Sequence, residues 1–217
     1  MTASEAIRKY RIIAITRRID PDSILATAEA LLRGGLRLLE VTFDQNDPDT
    51  LAVTSGMISR IRHHFGSELS VGAGTVINEA QVAAAADAGA EYIVSPCFSE
   101  EVVRETLRRG LISIPGVMTP TEMAAAHRAG AQFVKLFPAG NLGIGYFKSV
   151  TSPLSHIPVI VTGGIDERNM LDFLSAGAVA VGLGSNVVNN RLISQGDYEA
   201  ITKLALACTS KLAEAGI

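Results

Sequence analysis

The segment Phe133-Val134-Lys135-Leu136-Phe137-Pro138-Ala139 is a short apolar run with one lysine at its centre. Gly130 and Ala131 precede it and Gly140 follows it, a pattern typical of a β-strand bounded by loops. Preceding segments alternate between strand-like and helix-like patterns, which predicts a parallel sheet covered on both faces. Burial in such a sheet removes water from the Lys135 ammonium and favours the neutral amine, a nucleophile for carbonyl carbons. The alternative is a strand-end lysine whose ammonium reaches solvent.

Strand-like segments recur along the chain on both sides of this run, and helical patterns separate them. The eight predicted strands cover residues 12–16, 38–43, 70–76, 92–96, 111–117, 133–137, 158–162 and 178–183. The predicted helices cover residues 4–10, 21–33, 50–64, 78–89, 99–110, 119–129, 146–154, 168–176 and 198–215. Pro21 at a first helical position and glycines just past several helices mark the boundaries.

Eight strand–helix units without a linker between them predict an α/β protein with a single domain over residues 1–217. A (β/α)8 TIM barrel has eight such units in roughly 200–250 residues. A doubly wound open sheet uses the same units, but the first strand is not followed by the Gly-x-Gly-x-x-Gly sequence of many such folds. The barrel is therefore the predicted fold.

Composition and charge exclude several classes of function. The net charge of −3 is spread along the chain without a basic stripe, so no nucleic acid is predicted as a partner. The polar N-terminus predicts no signal peptide, and no apolar run approaches the roughly 20 residues that span a bilayer, so no membrane association is predicted. Two cysteines without a spaced pair fit a reducing compartment. We expect a cytoplasmic globular protein, and the four histidines show no metal-ligand spacing.

In a TIM barrel, active-site residues lie at the carboxyl ends of the strands and in the loops that follow them. The candidates at those positions are Arg17, Glu40, Thr42, Gly74, Thr75, Ser95, Pro96, Pro115, Gly116, Lys135, Thr162, Gly163, Gly164, Gly184 and Ser185. Cys97 follows the fourth strand and either lines the site or packs in the core, of which packing is favoured. Cys208 on the last helix is expected in the core.

Glu40 is, like Lys135, a lone charge inside an apolar strand. One interpretation is that the two side chains form an ion pair that stabilises the barrel interior. The other is that they are a catalytic pair, because a lysine that attacks a carbonyl needs a carboxylate that carries protons. The sequence leaves both interpretations open.

Two glycine clusters follow the last two strands, Thr162-Gly163-Gly164-Ile165 and Gly182-Leu183-Gly184-Ser185. The loops at these positions are the frequent phosphate site of a TIM barrel. Glycines allow backbone N–H groups to approach an anion, so a phosphate site is predicted. The alternative is a pair of tight turns that need glycine.

Several of these motifs together resemble the class I aldolase family of 2-keto-3-deoxy-6-phosphogluconate (KDPG) and 4-hydroxy-2-oxoglutarate (KHG). The similarity covers nearly the whole chain, and the run around Lys135 is its most specific part. The motifs are GLRLLEVT (35–42), VGAGTV (71–76), IPGV (114–117), FVKLFPA (133–139), VTGGI (161–165) and VGLGS (181–185).

The resemblance implies a homotrimer with no metal or other cofactor that cleaves a 2-keto-3-deoxy sugar acid to pyruvate and an aldehyde. It implies Lys135 as the Schiff-base lysine and Glu40 as the acid/base that acts through water. The implied pyruvate-pocket and substrate contacts are Thr75, Pro96, Phe137 and Thr162. The implied phosphate site is Gly163, Gly164 and Ser185, to which the glycine cluster after the eighth strand adds Gly184.

One position departs from the family pattern. Members that cleave the phosphogluconate carry an arginine four residues after the glutamate, where this chain has Asp44. A carboxylate there is expected to repel an acid substrate, and Arg17 is expected to supply a guanidinium from the other side, as in relatives that act on the galactonate epimer. The alternatives to an aldolase are a phosphate-binding barrel isomerase, an enzyme of thiamine or tryptophan synthesis, and a sugar-acid-binding protein without catalysis.

Overall fold

Nine strand segments form one parallel sheet in the computed structural model, which describes residues 1–216. Their order across the sheet is β5-β4-β3-β2-β1-β9-β8-β7-β6. In chain order they are β1 (Ile12–Thr16), β2 (Leu38–Thr42), β3 (Ser70–Gly74), β4 (Tyr92–Val94), β5 (Ile112–Ile114), β6 (Gly116–Val117), β7 (Val134–Leu136), β8 (Val159–Thr162) and β9 (Ala180–Leu183).

The sheet closes on itself because β5 and β6 are two parts of one strand, interrupted at Pro115. β5 pairs with β4, and β6 pairs with β7. The carbonyl of Pro115 accepts a hydrogen bond from the Lys135 N–H at 2.8 Å, so the interruption does not open a gap. The molecule is therefore an eight-stranded barrel. The predicted (β/α)8 fold is confirmed, and the open doubly wound sheet is wrong because it requires two free edges.

Helices connect successive strands and cover the outside of the barrel. They are α1 (Ala3–Tyr10), α2 (Ile24–Arg33), α3 (Thr50–Phe65), α4 (Glu79–Asp87), α5 (Glu100–Arg108), α6 (Pro120–Arg128), α7 (Ala139–Thr151), α8 (Met170–Ser175), α9 (Asn190–Ser194) and α10 (Tyr198–Glu214). Asn78, Ser99 and Thr119 cap α4, α5 and α6 by accepting hydrogen bonds from first-turn N–H groups. Within the described residues, no helix has the length and apolar character that crossing a membrane requires.

The barrel interior is filled by side chains that alternate along the strands, and its amino end is covered by α1. Ala6 and Ile7 of α1 are buried against an interior cluster of Ile13, Leu38, Tyr92, Val94, Ile114, Phe133, Ile160 and Ala180. The Arg8 guanidinium lies 5.0 Å from the centre of the Phe133 ring. A larger apolar cluster fills the space between the strands and the helices. Charged side chains of the interior therefore lie toward the carboxyl end.

The helix after β7 begins at Ala139, whereas the sequence predicted its start at residue 146. The glycine-rich sequence resembles a loop, but Gly140 packs against the loop after β8. A Cβ on Gly140 would lie 2.2 Å from the Gly164 carbonyl oxygen. Gly143, with φ +82° and ψ 165°, interrupts the helix with a kink. The short helix α9 was not predicted at all.

Several strands are shorter than predicted, and β4 ends at Val94. Pro96 and Cys97 therefore lie in the loop that follows it, and the Cys97 side chain is exposed. The prediction that Cys97 packs in the core is wrong for this reason. Cys208 is only 2% exposed, which confirms its predicted place in the core. Pro21 begins a 3-10 turn, Pro21–Ser23, that precedes α2, whereas the sequence predicted an α-helix from this residue.

Candidate active site

Lys135 and Glu40 are buried charged side chains on two distant strands of the barrel, which β1, β9 and β8 separate in the sheet order. Lys135 lies on β7 and is 6% exposed, and Glu40 lies on β2 and is 2% exposed. In register, Lys135 is paired with Gly116 of β6. The Lys135 Nζ atom lies 5.3 Å from the centre of the Phe137 ring. The burial predicted for Lys135 is confirmed, and the solvent-reaching lysine is excluded.

Gly74, the last residue of β3, makes room for the Glu40 carboxylate. A Cβ built on Gly74 would lie 2.0 Å from Glu40 Oε1, well inside the distance that any side chain tolerates. The Glu40 backbone is held on its other side, where its carbonyl accepts a hydrogen bond from Thr16 Oγ1 at 3.0 Å. The position of the carboxylate thus depends on a glycine in the neighbouring strand.

Replacing Gly74 with alanine is expected to displace the Glu40 carboxylate. With Glu40 as the acid/base that the resemblance implies, activity should fall about 10²-fold, the effect of misplacing a reacting group by about 1 Å. Stability should fall by about 1–3 kcal/mol from overpacking. The measurements are steady-state kinetics and urea unfolding. Gly56→Ala is the matched control, because Gly56 lies in α3 with no atom within 4 Å of an added Cβ. That control should keep full activity and gain about 0.5–1 kcal/mol.

Burial raises the pKa of Glu40 above its usual value, and the nearby charges of Lys135 and Arg17 oppose this rise only in part. No ion pair shorter than 4.0 Å joins Glu40 to Lys135 within residues 1–216. The two side chains therefore interact through space without direct contact. This does not support the interpretation that they form an ion pair with a purely structural role.

Tyr92 lies in the barrel interior toward its amino end. Burial and the Glu40 charge raise the pKa of Tyr92, whose hydroxyl donates to the Leu39 carbonyl at 2.8 Å.

A cavity of about 860 Å³ opens at the carboxyl end of the barrel. It brings together eight of the eleven residues predicted for catalysis, substrate contact or phosphate binding. Its lining includes Arg17, Lys135, Phe137, Thr162, Gly163, Gly164, Gly184 and Ser185. The Thr162 hydroxyl is buried and has no hydrogen-bond partner among the described residues. A buried hydroxyl without a partner is costly unless a ligand or water completes it.

The two glycine loops form one side of this cavity. Gly163 and Gly164 have φ values of +80° and +73°, which favour glycine. A Cβ on Gly163 would also lie 2.8 Å from the Phe137 ring. After β9, the Gly184 carbonyl accepts hydrogen bonds from the N–H groups of Val187 and Val188 in a tight turn. The glycines thus shape turns and leave backbone exposed to the cavity at the same time.

Thr75 lines a neighbouring cavity of about 160 Å³ together with Arg17 and Arg18. Both arginines also line the large cavity, so the two cavities adjoin. Glu40 and Pro96 line neither of them. The Glu40 carboxylate lies against Gly74, the residue before Thr75, and the Pro96 backbone lies against Gly116, where a Cβ would meet it at 2.3 Å.

Asp44, the position that departs from the family pattern, is held by the protein itself. Arg18 Nε donates to Asp44 Oδ2 at 3.1 Å, and the N–H of Asn46 donates to Asp44 Oδ1 at 3.1 Å. These contacts, led by the Asn46 backbone, lower the pKa of Asp44. Its charge is balanced by Arg18, so the simple repulsion expected from the sequence is reduced. Within the described chain, no carboxylate lies within 4.0 Å of the Arg17 guanidinium.

Sequence reasoning missed several residues around these cavities. Arg18 was not predicted, although it adjoins Arg17, and Arg191 lines the large cavity from the unpredicted helix α9. Asn190 Nδ2 donates to the Arg17 carbonyl at 2.9 Å and so ties α9 to the loop after β1. No short motif marks these residues. In residues 1–216 no three His, Cys, Asp or Glu side chains are grouped so as to hold a metal ion.

The fold is that of a (β/α)8-barrel enzyme, with the cavity at the carboxyl ends of the strands where such enzymes have their active sites. A family model described as KDPG and KHG aldolase matches residues 3–204. The chain belongs to this aldolase family, whose members are carbon–carbon lyases. The two alternative predictions, an isomerase and an enzyme of thiamine or tryptophan synthesis, are therefore wrong, because the chain belongs to a different family.

Individual relatives agree with this assignment. The 2-dehydro-3-deoxy-6-phosphogalactonate aldolase of Escherichia coli (strain K12) is 36% identical over 82% of this chain and 85% of its own length. The 2-dehydro-3-deoxy-phosphogluconate aldolase of Treponema pallidum (strain Nichols) is 32% identical over 94% of this chain and 95% of its own. The KDPG aldolase of Legionella pneumophila, solved with pyruvate captured as a covalent carbinolamine, has a TM-score of 0.85 at 27% identity, with 96% and 98% of the two chains covered.

Proposed function

We propose that this protein cleaves a 6-phosphorylated 2-keto-3-deoxy sugar acid to pyruvate and glyceraldehyde 3-phosphate through a Schiff base on Lys135. The observation that carries the proposal is the cavity in which the buried Lys135 amine and the two glycine loops face the same space. The amine suits a ketone, and backbone N–H groups on glycine loops suit a phosphate. One substrate that carries both groups fits this arrangement.

In the proposed mechanism, the neutral Lys135 amine attacks the C2 ketone and forms a carbinolamine. Loss of water gives an iminium, which accepts the electron pair of the C3–C4 bond as that bond breaks. The C4 hydroxyl loses its proton and becomes the aldehyde, which leaves. The remaining enamine is protonated at C3, and hydrolysis of the iminium then releases pyruvate and the free lysine.

Glu40 is the proposed general base for the C4 hydroxyl and the general acid in the reverse steps. No ion pair within 4.0 Å joins Glu40 to the Lys135 amine, and Glu40 is proposed to exchange protons with the substrate through a water molecule. Burial raises the Glu40 pKa toward neutral pH. A general acid/base works best when its pKa lies near the pH of the reaction, because it then both accepts and donates protons. The Glu40 charge also stabilises the iminium cation.

The remaining site residues are proposed to bind the two ends of the substrate. Thr75, Pro96, Phe137 and Thr162 surround the pyruvate portion, and the unpartnered Thr162 hydroxyl supports this role. Gly163, Gly164, Gly184 and Ser185 bind the phosphate. For the substrate itself, we propose the galactonate epimer first, because Asp44 replaces the arginine that is usual in phosphogluconate enzymes and is neutralised by Arg18.

A substrate panel tests this assignment. It contains 2-dehydro-3-deoxy-6-phosphogalactonate, the corresponding phosphogluconate and 4-hydroxy-2-oxoglutarate, with pyruvate release measured in a coupled assay. The proposal requires the highest kcat/KM for the phosphogalactonate. A higher kcat/KM for the phosphogluconate would overturn the assignment to the galactonate epimer. A higher kcat/KM for 4-hydroxy-2-oxoglutarate would also overturn the assignment to a phosphorylated substrate.

Replacing Arg17 with alanine is expected to raise KM for the phosphorylated sugar acid about tenfold, the loss of one hydrogen bond to a charged group. Trapping of pyruvate on Lys135 should change much less, because pyruvate lacks the outer part of the substrate. Steady-state kinetics and borohydride trapping measure the two effects. Arg128→Ala is the control, since Arg128 is an exposed residue at the end of α6. An equal loss in both measurements would contradict the proposed role of Arg17.

The proposal extends to the assembly and location of the protein. The resemblance to the family supports a homotrimer of single-domain chains, and two exposed apolar side chains at the carboxyl end, Ile77 and Met118, support an interface there. Light scattering should give three times the monomer mass. The two cysteines are free, which fits the reducing cytoplasm.

A further inference from the structure

Thr75 has a backbone conformation that is costly for its residue type. Its φ is +56°, in the left-handed region, where β-branched residues are rare because their side chains crowd the backbone. Such a conformation persists only where the surrounding structure holds it in place. Thr75 directly follows Gly74, the residue against which the Glu40 carboxylate lies. The strained residue is therefore next in sequence to the glycine that the Glu40 carboxylate contacts.

Two glutamine side chains hold the backbone around Thr75. Gln45 Nε2, from the loop after β2, donates to the Thr75 carbonyl at 2.7 Å. Gln81 Nε2, from α4, donates to Gln45 Oε1 at 2.9 Å. Gln81 Oε1 in turn accepts the Ile77 N–H at 2.8 Å. The segment after β3 is thus held at Thr75 and again at Ile77.

Burial gives this network its rigidity. Gln81 is only 3% exposed, and its amide uses both its donor and its acceptor side within the network. A buried polar side chain with satisfied hydrogen bonds is fixed in one orientation, because each alternative leaves a polar group unpaired. Gln45 is exposed, so its own orientation depends on the bond from Gln81.

We propose that Gln45, oriented by Gln81, is a positioning residue that keeps Thr75 in its left-handed conformation and thereby sets the Thr75 side chain beside the bound pyruvate. The assignment of Thr75 to the pyruvate pocket rests on the proposed function. Without the bond from Gln45, the Thr75 backbone relaxes to negative φ and the side chain leaves its place. Substrate binding weakens, while the lysine chemistry continues.

The first test is the crystal structure of Gln45→Ala, which removes an exposed side chain and so leaves the protein folded. We expect Thr75 at negative φ and a melting temperature lowered by about 1–6 °C, because Gln81 Nε2 loses its hydrogen-bond partner. In the condensation direction, KM for pyruvate should rise about tenfold while kcat changes much less, as is typical of lost uniform binding. Gln195→Ala, another exposed glutamine, is the control and should change none of these. A positive φ at Thr75 in Gln45→Ala overturns the proposal.

A double-mutant cycle with Thr75→Ala tests whether Gln45 acts through Thr75. If it does, Gln45→Ala has no further effect on KM once the Thr75 hydroxyl is gone, because residues that act as a unit are not additive. The same loss in both backgrounds would show that Gln45 acts independently and would overturn the proposal.

The two proposals fail in different ways. If pyruvate and borohydride leave no adduct on the unchanged protein, the proposed function fails, but the φ of Thr75 in Gln45→Ala still decides whether Gln45 holds it. If the adduct forms and Thr75 keeps its conformation in Gln45→Ala, the proposed function stands and the positioning role is wrong.

Discussion

Replacing Lys135 with methionine is expected to lower kcat/KM on the order of 10⁶-fold, the loss that follows removal of a covalent nucleophile in other enzymes. Methionine fills a similar volume in the barrel interior, so the variant should fold. It lacks the amine, so neither the carbinolamine nor the iminium forms. The remaining site only binds the substrate.

Borohydride reduction in the presence of pyruvate measures this directly. Intact mass and peptide mapping should place one reduced pyruvyl group on the peptide that carries Lys135, and Lys135→Met should acquire none. Lys148→Met is the matched control, because Lys148 is an exposed lysine on α7 outside the cavity. It should be labelled like the unchanged protein. Absence of label in the unchanged protein, where another class I aldolase is labelled, would contradict the Schiff base.

The second large effect is expected for Glu40→Gln, which keeps the shape of the side chain and removes its proton transfer. Activity should fall about 10²–10⁴-fold, the usual contribution of a general acid or base. Pyruvate binding should change less than turnover, because the amide still fills the space beside Gly74. Single-turnover cleavage and pyruvate trapping separate these two steps. Equal activity of Glu40→Gln and the unchanged protein would remove Glu40 from the mechanism.

The same variant should melt at a higher temperature, by an amount that depends on pH. Because burial raises the pKa of Glu40, the folded state binds this proton more tightly than the unfolded state, where the carboxyl titrates near 4.5. The stability contribution of Glu40 is therefore fully present below pH 4.5 and decreases as pH rises through the folded pKa. Glutamine does not titrate, so the gain in melting temperature should be smallest in acid and grow toward neutral pH.

Melting curves from about pH 4 to about pH 8 test this expectation. Glu68→Gln is the control, because the Glu68 side chain is exposed and outside the site. It should melt like the unchanged protein at each pH. A gain in Glu40→Gln that shrinks as pH rises would show that the folded protein favours the charged carboxylate.

The barrel was predictable because each strand is an apolar run and each helix has clear boundary residues. Lys135 and Glu40 stood out for the same reason, since a lone charge in an apolar strand is easy to recognise. The start of α7 was not predictable, because the glycines at its beginning are required by contact with Gly164, which is remote in sequence. The interruption at Pro115 was missed because the flanking residues continue the apolar pattern.

The arrangement of charges around the site was less predictable than the buried pair Lys135 and Glu40. Nothing in the sequence indicates that Arg18, and not its neighbour Arg17, contacts Asp44 across 26 positions of chain. That choice depends on the backbone, where Arg18 has a φ of +52°. The contact between the Glu40 carboxylate and Gly74 likewise depends on the register of β2 and β3. Local patterns determine the elements, whereas pairings between loops arise only when the barrel closes.

The helix α1 that covers the amino end of the barrel has a consequence for the order of events in a catalytic cycle. With Ala6 and Ile7 packed against the interior, the barrel is filled behind Lys135, and both products leave through the mouth by which the substrate entered. In the proposed mechanism, pyruvate remains attached to Lys135 while the aldehyde occupies the outer part of the cavity. The aldehyde must therefore depart first and pyruvate last, so initial-rate kinetics of the condensation should show ordered addition with pyruvate as the leading substrate.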